Sequence, residues 1–498
     1  MQRMNRRDFL KAGCLLSASS MGLLSPLVGC QKSSVAVNAV ADSPNIIVVI
    51  TDDQGYGDLG RHGHPLLKTP NLDALYDQSV RFSNFYVSPA CSPTRASLLT
   101  GMHEFRNGVT HTLPPREHLN IKATILPQLL KPAGYTSGLF GKWHLGSDKG
   151  YRPYDRGFDL AVEPQGVHNS SNFDAGQTRN GVREKTKGFR EDVIFDEAMK
   201  FIESSKDRPF FCYIATYSPH EPLVAPEEFI APYRGKTTDR IATFLGMIAN
   251  IDWNYGRLTA KLKELGIDDN TIIIFMNDNG QTVGLDLYNA DMRGCKCTAW
   301  HGGTRAISLW HWANKWKPRT EEALTAHLDF LPTITELAGA AIPDGLKPQL
   351  EGYSLAPLLE SEKGDFPRDR KLFGHVGRWP NGMADSHKYT QCHVRKGHYL
   401  MVRSRPCDEP ECTPEVRGDQ CYTLKLVEKG AKDAVYTDGN AQFHWGVTPK
   451  DGWALYDTKK DPECQNNLAD KMPELVKELT ADYDKWWDSV RPYMINEQ

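Results

Sequence analysis

The sequence predicts an α/β fold: one large, mostly parallel mixed sheet flanked by helices, followed by a smaller C-terminal α+β domain. Asn45 to Thr51 (NIIVVIT) and Thr271 to Met276 (TIIIFM) are continuous runs of mainly β-branched residues, as found in strands buried on both faces. Between these runs, strand-like segments alternate with helix-like segments. That order is typical of a parallel sheet with helices on both faces.

The other elements of the large domain follow in order. A helix opens at Pro70 and places Leu72, Leu75 and Val80 on one face. A helical turn, a strand, a helix, a strand and a long amphipathic helix are then predicted at Leu126 to Leu130, Tyr135 to Phe140, Glu191 to Ile202, Phe210 to Thr216 and Arg240 to Leu265.

The pattern changes after about residue 345, where Gly and Pro become more frequent and the predicted strands become short. Trp453 to Tyr456 begins a last strand, and Pro473 to Trp487 has the apolar spacing of a helix. We therefore predict a large domain over residues 44–345 and a smaller one over 346–498.

Composition excludes some classes of protein. Of the 498 residues, 40% are hydrophobic and 24% charged, which is ordinary for globular domains. The formal net charge of −3 gives no reason to expect nucleic acid as a partner.

The first thirty residues predict an export signal rather than part of the fold. A basic start precedes an apolar stretch from Ala12 to Val28, and Asn5 to Lys11 resembles a twin-arginine signal. Leu27 to Cys30 resembles the lipobox of bacterial lipoproteins, in which the cysteine is lipidated and becomes the mature N-terminus. An ordinary cleaved signal with a chance cysteine is the alternative.

On this interpretation, residues 1–30 are a twin-arginine and lipoprotein signal, and residues 31–43 are a tether. The protein is then exported to the periplasm or the cell surface, and it contacts a membrane only through the lipid on Cys30.

Polar residues follow both buried strands. Asp52 and Asp53 end the first, and Asp278 and Asn279 follow the second. The carboxyl ends of parallel strands are where such sheets bind ligands, and carboxylate and amide oxygens are the ligands that calcium and magnesium prefer. Turn formation is the alternative role for either pair taken alone.

The most specific pattern is Pro89 to Gly101 (PACSPTRASLLTG). It resembles the signature of the sulfatase family, C-x-P-x-R followed by an apolar pair and T-G, and further resemblance extends from about Asn45 to Trp487. The resemblance implies an alkaline phosphatase-like fold. It also implies that a maturation enzyme, which recognises Pro93 and Arg95, oxidises Cys91 to formylglycine (3-oxoalanine).

In the family, the hydrated aldehyde supplies one hydroxyl as nucleophile, and the second hydroxyl lets the sulfated intermediate collapse by elimination. A helix N-terminus and the cation of Arg95 favour the developing alkoxide. By the same resemblance, one calcium ion neutralises a sulfate oxygen and lowers the pKa of the diol. The implied ligands of that ion are Asp52, Asp53, Cys91, Asp278 and Asn279.

Three further strings resemble sulfatase motifs, and they are Gly141 to Gly146 (GKWHLG), Ser218 to Pro222 (SPHEP) and Met292 to Cys297 (MRGCKC). The resemblance implies that Lys142 and Lys296 contact the sulfate. It implies that His144 assists the diol or acts as a base, and that His220 donates a hydrogen bond or a proton to the bridging oxygen.

Some residues depart from the family pattern. Cys295 and Cys297 stand where glycine is common, and they are either bridged or two thiols; His301 stands where glutamate is common. Four further cysteines lie in a turn-rich late segment, where export permits one or two disulfides and a zinc site is the alternative. These four are Cys392, Cys407, Cys412 and Cys421.

The predicted substrate is a sulfated carbohydrate, because an exported sulfatase meets extracellular polysaccharide. The predicted contacts are His168, in the loop from Val162 to Lys187, Arg378 and Trp379, and Trp379 is expected to stack on a sugar ring.

The alternative functions are a general arylsulfatase and a phosphonate or phosphate ester hydrolase of the same superfamily. Cysteine rather than threonine or serine at position 91 disfavours a phosphatase. The intact motif residues disfavour a silent binding protein.

Export and anchoring give separable experimental outcomes. Replacing Arg6 and Arg7 with Lys is expected to retain the precursor in the cytoplasm, because the export machinery reads the arginine pair. Cys30→Ser is expected to release the exported protein from the membrane, because serine does not accept the lipid. Cell fractionation measures both, and unchanged fractionation of both variants would show that residues 1–30 have another role.

Overall fold

A computed structural model describes residues 43–165, 172–404, 435–438, 441–444, 448 and 452–497. Its strands are β1 (Asn45–Asp52), β2 (Val80–Phe82), β3 (Phe85–Tyr86), β4 (Thr136–Gly141), β5 (Leu160–Pro164), β6 (Gln177–Arg179), β7 (Val182–Glu184), β8 (Phe210–Pro219), β9 (Thr271–Asn277), β10 (Ser308–Trp312), β11 (Arg319–Glu321), β12 (Thr325–Ala326), β13 (Lys371–His375), β14 (Gln391–Lys396), β15 (Tyr399–Ser404), β16 (Val435–Asp438), β17 (Ala441–His444) and β18 (Ala454–Asp457). Its α-helices are α1 (Pro70–Gln78), α2 (Cys91–Thr100), α3 (Leu126–Leu130), α4 (Arg190–Ser205), α5 (Glu227–Ile230), α6 (Asp239–Glu264), α7 (His301–Thr304), α8 (Phe330–Leu337), α9 (Ala356–Glu360) and α10 (Pro473–Val490).

The large sheet of the described chain has ten strands in the order β11-β2-β10-β9-β1-β8-β4-β5-β6-β7. Its central strands, β9, β1, β8, β4 and β5, are all parallel. Next to them, β10 on one side and β6 and β7 on the other pair antiparallel. The predicted fold class, a mostly parallel mixed sheet, is confirmed.

The central strands are buried on both faces, as their composition predicts. Every residue of β1 and of β9 is buried. Successive side chains of β1 point to opposite faces, so Ile46, Val48 and Ile50 pack with α2, α3 and α8, whereas Ile47 and Val49 pack with α1, α4 and α6. Full burial of each such side chain stabilises the fold by roughly 1.5–3 kcal/mol.

One predicted helix is too long. Helix α1 ends at Gln78, and Ser79 is already extended, with ψ of 154°. Val80 therefore does not lie on the helix face with Leu72 and Leu75. It belongs to β2 and pairs with Trp310 of β10, because sheet pairing overrides a helical apolar spacing at a helix end.

The smaller C-terminal domain is built on an antiparallel sheet in the order β13-β14-β15-β18. Helix α10 packs on it and buries Leu479, Tyr483 and Trp487 in a cluster with Val394 and Met401. Strands β16 and β17 form a separate antiparallel pair. Among the described helices, none is both long enough and apolar enough to cross a membrane.

Candidate active site

The parallel pairing of β1 with β9 brings the two acidic turns together. Thr51 lies opposite Asn277, so both strands end at the same level of the sheet. The Asp278 N–H donates to the Thr51 carbonyl oxygen (3.0 Å), and the Asp53 N–H donates to Asp278 Oδ1 (3.3 Å). The predicted metal ligands buried at this edge are Asp52, Asp53, Asp278 and Asn279.

Cys91 is the first residue of α2 and lies at the same edge. The helix starts there because Ala90, with φ of −151° and ψ of 157°, is still extended. The Cys91 thiol and the carboxylates of Asp52 and Asp278 offer atoms that all lie within 4.8 Å of one another. A helix N-terminus carries a positive potential, which favours an anion at position 91.

Arg95 lies one turn further along α2 and fixes Asp278. Its Nη2 and Nε donate to Asp278 Oδ2 at 2.8 and 3.1 Å, and its Nη1 donates to the Lys142 carbonyl oxygen at 3.2 Å. Both members of the ion pair are buried, so removing either one leaves an uncompensated buried charge. Arg95 thereby ties α2 to the ends of β9 and β4.

Two lysines reach the remaining carboxylates. Lys142, directly after β4, donates from Nζ to Asp52 Oδ2 at 2.5 Å, and Lys296 Nζ lies 2.5 Å from Asp53 Oδ1. Asp278 is paired with Arg95, so each of the three buried carboxylates has one cationic partner.

The position of Lys142 depends on glycine at position 141. Gly141 has φ of +109°, and a Cβ there would lie 1.9 Å from the carbonyl oxygen of Ala215 in β8. The Lys142 N–H donates to that same oxygen at 2.8 Å. Only glycine permits both this conformation and this approach of the two strands.

Two histidines border the charged cluster. His220 follows β8, and its Nε2 lies 3.7 Å from Asp53 Oδ2. His144 follows β4, and its Nε2 lies 3.1 Å from the Thr112 carbonyl oxygen and 3.2 Å from Glu117 Oε2. The structure therefore brings together all the predicted catalytic and metal-ligand positions.

The cluster alters the ionisation of its members. Burial opposes ionisation of the Cys91 thiol, but the charges of Lys142 and Lys296 hold its pKa below the usual value. Burial, and then the charge of Asp52, oppose ionisation of Asp278, but the charge of Arg95, which donates two hydrogen bonds to this carboxylate, lowers its pKa. Burial also opposes ionisation of Asp52, but Lys142 holds the pKa of this carboxyl well below its usual range. The lysines thus favour a negative charge at positions 52 and 91.

Two oxygens at this edge fit a bound cation. Asp52 Oδ1 and Asn279 Oδ1 are buried and have no hydrogen-bond partner among the described residues. Buried polar atoms are nearly always satisfied, and carboxylate and amide oxygens are the ligands that hard divalent cations prefer. With the nearby Asp278 carboxylate, they form a donor set suited to calcium or magnesium.

Two acidic residues that hold the histidines were missed by the sequence analysis. The Ser218 N–H and hydroxyl donate to Glu191 Oε1 at 3.1 and 2.9 Å, which fixes the turn before His220. Glu117 contacts His144. Neither glutamate stands in a motif, so no pattern in the sequence identifies them.

The predicted substrate contact Arg378 lies beside the loop that carries Lys296. Its Nη1 is 3.0 Å from the Sγ of Cys297, the residue after Lys296. The Cys297 N–H donates to the Pro89 carbonyl oxygen at 2.7 Å, which ties this loop to the segment before α2. Cys297 is a buried free thiol, so no disulfide joins it to Cys295.

The prediction for Trp379 is wrong. Its side chain is fully buried and packs against Phe105, His375 and Trp487 at centroid distances of 5.5, 5.0 and 5.9 Å. The ring therefore has no face for a sugar. Arg116 covers it, with Cζ 5.4 Å from the ring centroid.

Several predictions fall outside the described residues, namely those for Cys30, His168, Cys407, Cys412 and Cys421. Cys392, the first member of the late cluster, is a buried free thiol.

Comparison with known proteins identifies the family. A profile named Sulfatase matches residues 44–340. The chain belongs to the sulfatase family. It is 31% identical to mouse (Mus musculus) arylsulfatase J, with 89% of this sulfatase and 76% of the relative aligned. It is also 31% identical to human (Homo sapiens) N-acetylgalactosamine-6-sulfatase, with 67% and 68% aligned. The enzyme is accordingly a sulfuric ester hydrolase.

Solved structures share the fold. The structure of Ps i-CgsB in complex with k-i-k-neocarrahexaose has a TM-score of 0.71 at 24% identity, covering 89% of this sulfatase and 92% of that chain. The structure of BT4656 in complex with its substrate D-glucosamine-2-N,6-O-disulfate has a TM-score of 0.65 at 21% identity, covering 90% and 98%.

Replacement of the buried tryptophan is expected to destabilise this sulfatase. Trp379→Ala leaves a cavity in a packed aromatic cluster, and such changes cost roughly 3–5 kcal/mol. Trp379→Phe keeps most of the packing and is expected to cost less. Urea denaturation followed by circular dichroism measures both. A normal unfolding free energy for Trp379→Ala, together with a raised KM for a sulfated sugar, would restore the stacking role.

Proposed function

We propose that this sulfatase removes sulfate from a carbohydrate, using one calcium ion and a formylglycine made from Cys91. The supporting observation is the position of Cys91, which shares a buried cluster with Asp52 and Asp278 and is flanked by the charges of Lys142 and Lys296. When present, the formylglycine hydrate would supply the nucleophile, and the calcium ion would neutralise charge on a sulfate oxygen.

The two lysines and the arginine of the cluster have different proposed roles. Lys142 and Lys296 each contact a carboxylate through Nζ, and an ammonium group has three donors. Each lysine can therefore hold a sulfate oxygen while keeping its carboxylate partner. Arg95 instead directs three hydrogen bonds to Asp278 and to the Lys142 carbonyl oxygen, so its proposed role is to keep the carboxylate and α2 aligned.

The two histidines suit different proton transfers. His220 is 31% exposed in its side chain and borders Asp53, so it is accessible to a leaving alcohol and suits the role of proton donor. Protonation of the bridging oxygen by such a group typically accelerates reactions by about 10²–10⁴-fold. His144 Nδ1 is buried without a hydrogen-bond partner among the described residues, so it suits the role of proton acceptor.

A carbohydrate substrate is supported by the ligands of the structural neighbours, a neocarrahexaose and a disulfated glucosamine. Arg378 lies within 3.0 Å of the Cys297 thiol, close enough to Lys296 to meet a sugar or a second sulfate. His168 is proposed as a further contact. A general arylsulfatase is the second candidate, favoured by the 31% identity with arylsulfatase J.

We further propose that the enzyme acts outside the cytoplasm, held there by a lipid on Cys30, and that the maturation enzyme is its processing partner. The catalytic domain is proposed to span residues 44–345, because the large sheet ends with β11 and the antiparallel sheet begins with β13.

Removal of a ligand charge tests the calcium proposal. Asp52→Asn is expected to weaken calcium binding and to remove most activity, because it deletes a charge from an oxygen-ligand site. Asp58→Asn is the matched control in the same loop. Burial raises the pKa of Asp58 to about 8, so this residue is largely uncharged at neutral pH and its replacement removes little charge. Calorimetric calcium titration of chelated protein and turnover assays measure both effects.

The same preparations test the modification. Peptide mass spectrometry is expected to find formylglycine at position 91 in active enzyme, and Cys91→Ala is expected to be inactive but folded. Full activity of protein that holds only unmodified Cys91, or of exhaustively chelated protein without residual metal, would contradict the proposal.

The substrate class has a kinetic test. The kcat/KM for sulfated oligosaccharides is expected to exceed that for an aryl sulfate. Arg378→Ala is expected to lower only the first value, by about 10-fold or more, since a hydrogen bond to a charged group is worth about 1.5–3 kcal/mol. Arg234→Ala, at an exposed pair with Glu227, is the control. A strong aryl preference that Arg378→Ala leaves unchanged would assign a general arylsulfatase.

A further inference from the structure

We propose that Glu117 is a positioning residue that acts through His144: together with the Thr112 carbonyl it orients the imidazole with its hydrogen on Nε2, and its charge offsets the positive charge that forms when Nδ1 accepts a proton. This inference rests on the proposed function, because that function gives His144 the role of proton acceptor.

The contacts of His144 determine where its hydrogen lies. Nε2 is 3.1 Å from the Thr112 carbonyl oxygen and 3.2 Å from Glu117 Oε2. A carbonyl oxygen can only accept a hydrogen bond, so Nε2 is the donor in the neutral ring. The lone pair is then on Nδ1, which is buried and has no hydrogen-bond partner among the described residues.

The Thr112 carbonyl and the Glu117 carboxylate affect His144 in different ways. The Thr112 carbonyl fixes the position of the hydrogen but carries no net charge. Protonation of Nδ1 makes the partly buried ring a cation, which the ammonium charge of Lys142 disfavours. Burial, and then that ammonium charge, lower the pKa of His144 to about 4, whereas the hydrogen bond and charge of Glu117 raise it. Glu117 therefore makes His144 a better base than its surroundings otherwise allow.

Glu117 is held in place by a loop anchored to the C-terminal domain. The Thr110 N–H donates to the Arg116 carbonyl oxygen at 3.0 Å, and the Arg378 N–H donates to the Thr110 carbonyl oxygen at 3.1 Å. The Arg116 guanidinium donates to Thr110 Oγ1 at 2.8 Å and covers the ring of Trp379. The carboxylate thus comes from a supported turn rather than from a chance surface contact.

The test uses mature, metal-loaded enzyme. Glu117→Gln keeps the size of the side chain but removes its charge. It is expected to lower kcat by about 10- to 100-fold, less than the roughly 10²–10⁴-fold typical of a group that transfers the proton itself, with KM nearly unchanged. Glu117→Asp keeps the charge and is expected to retain more activity than Glu117→Gln. In a His144→Ala background, Glu117→Gln is expected to cause no further loss.

A control separates this effect from simple destabilisation. Glu351 accepts the His103 N–H at 2.6 Å and pairs with Arg106 Nε at 3.0 Å, outside the site. Glu351→Gln is expected to lower thermal stability while leaving kcat unchanged. Nitrogen-15 NMR of histidine-labelled enzyme reports the ring directly. The Nε2–H form is expected in both proteins, because the Thr112 carbonyl oxygen remains, but Nδ1 is expected to become protonated at a lower pH in Glu117→Gln than in the wild type.

The outcomes distinguish the two proposals. If Glu117→Gln keeps its kcat, raises KM alone, or lowers kcat equally when His144 is already absent, then the positioning role of Glu117 is wrong and the proposed function stands. If His144→Ala itself keeps the wild-type kcat, then the base assigned in the proposed function is wrong.

Discussion

The active site depends on the parallel pairing of β1 with β9. Their register places Thr51 opposite Asn277, so the residues that follow both strands must share one edge of the sheet. Four oxygen-bearing side chains meet there only because two segments more than two hundred residues apart along the chain end at the same level. Such a cluster of acidic groups is unfavourable by itself, and it forms because the fully buried strands leave their ends no other position.

The C-terminal domain supports this site as well as packing beside it. Its segment after β13 carries Arg378, which contacts Cys297, and Trp379, on which Arg116 rests. Through these contacts, it supports the loop that carries Lys296 and the loop that carries Glu117. The aromatic cluster of α10 is therefore connected, by packing and hydrogen bonds, to the residues around His144.

The features that could be predicted from the sequence are those that local patterns determine. Strands such as β1 and β9 were identified because apolar, β-branched runs have few alternatives, and Cys91, Lys142 and Lys296 stand in long motifs. Positions set by distant contacts were not predictable. Trp379 lies among polar loop residues, which suggested exposure, but it is buried by Phe105 and Trp487 from other parts of the chain. Glu117 has no motif at all, because only the folded loop brings it to His144.

The one-to-one pairing of carboxylates and cations has a consequence for ligand binding. Asp52, Asp53 and Asp278 are matched by Lys142, Lys296 and Arg95, so the buried cluster is close to electrical neutrality. A divalent cation that entered alone would leave an excess of positive charge in a region of low polarisability, and an anionic ester that entered alone would leave an excess of negative charge. Each therefore lowers the free-energy cost of binding the other, and thermodynamic reciprocity requires the two affinities to rise by the same factor. The paired charges would thus make a cation and an ester cooperative ligands, even without any movement of the backbone.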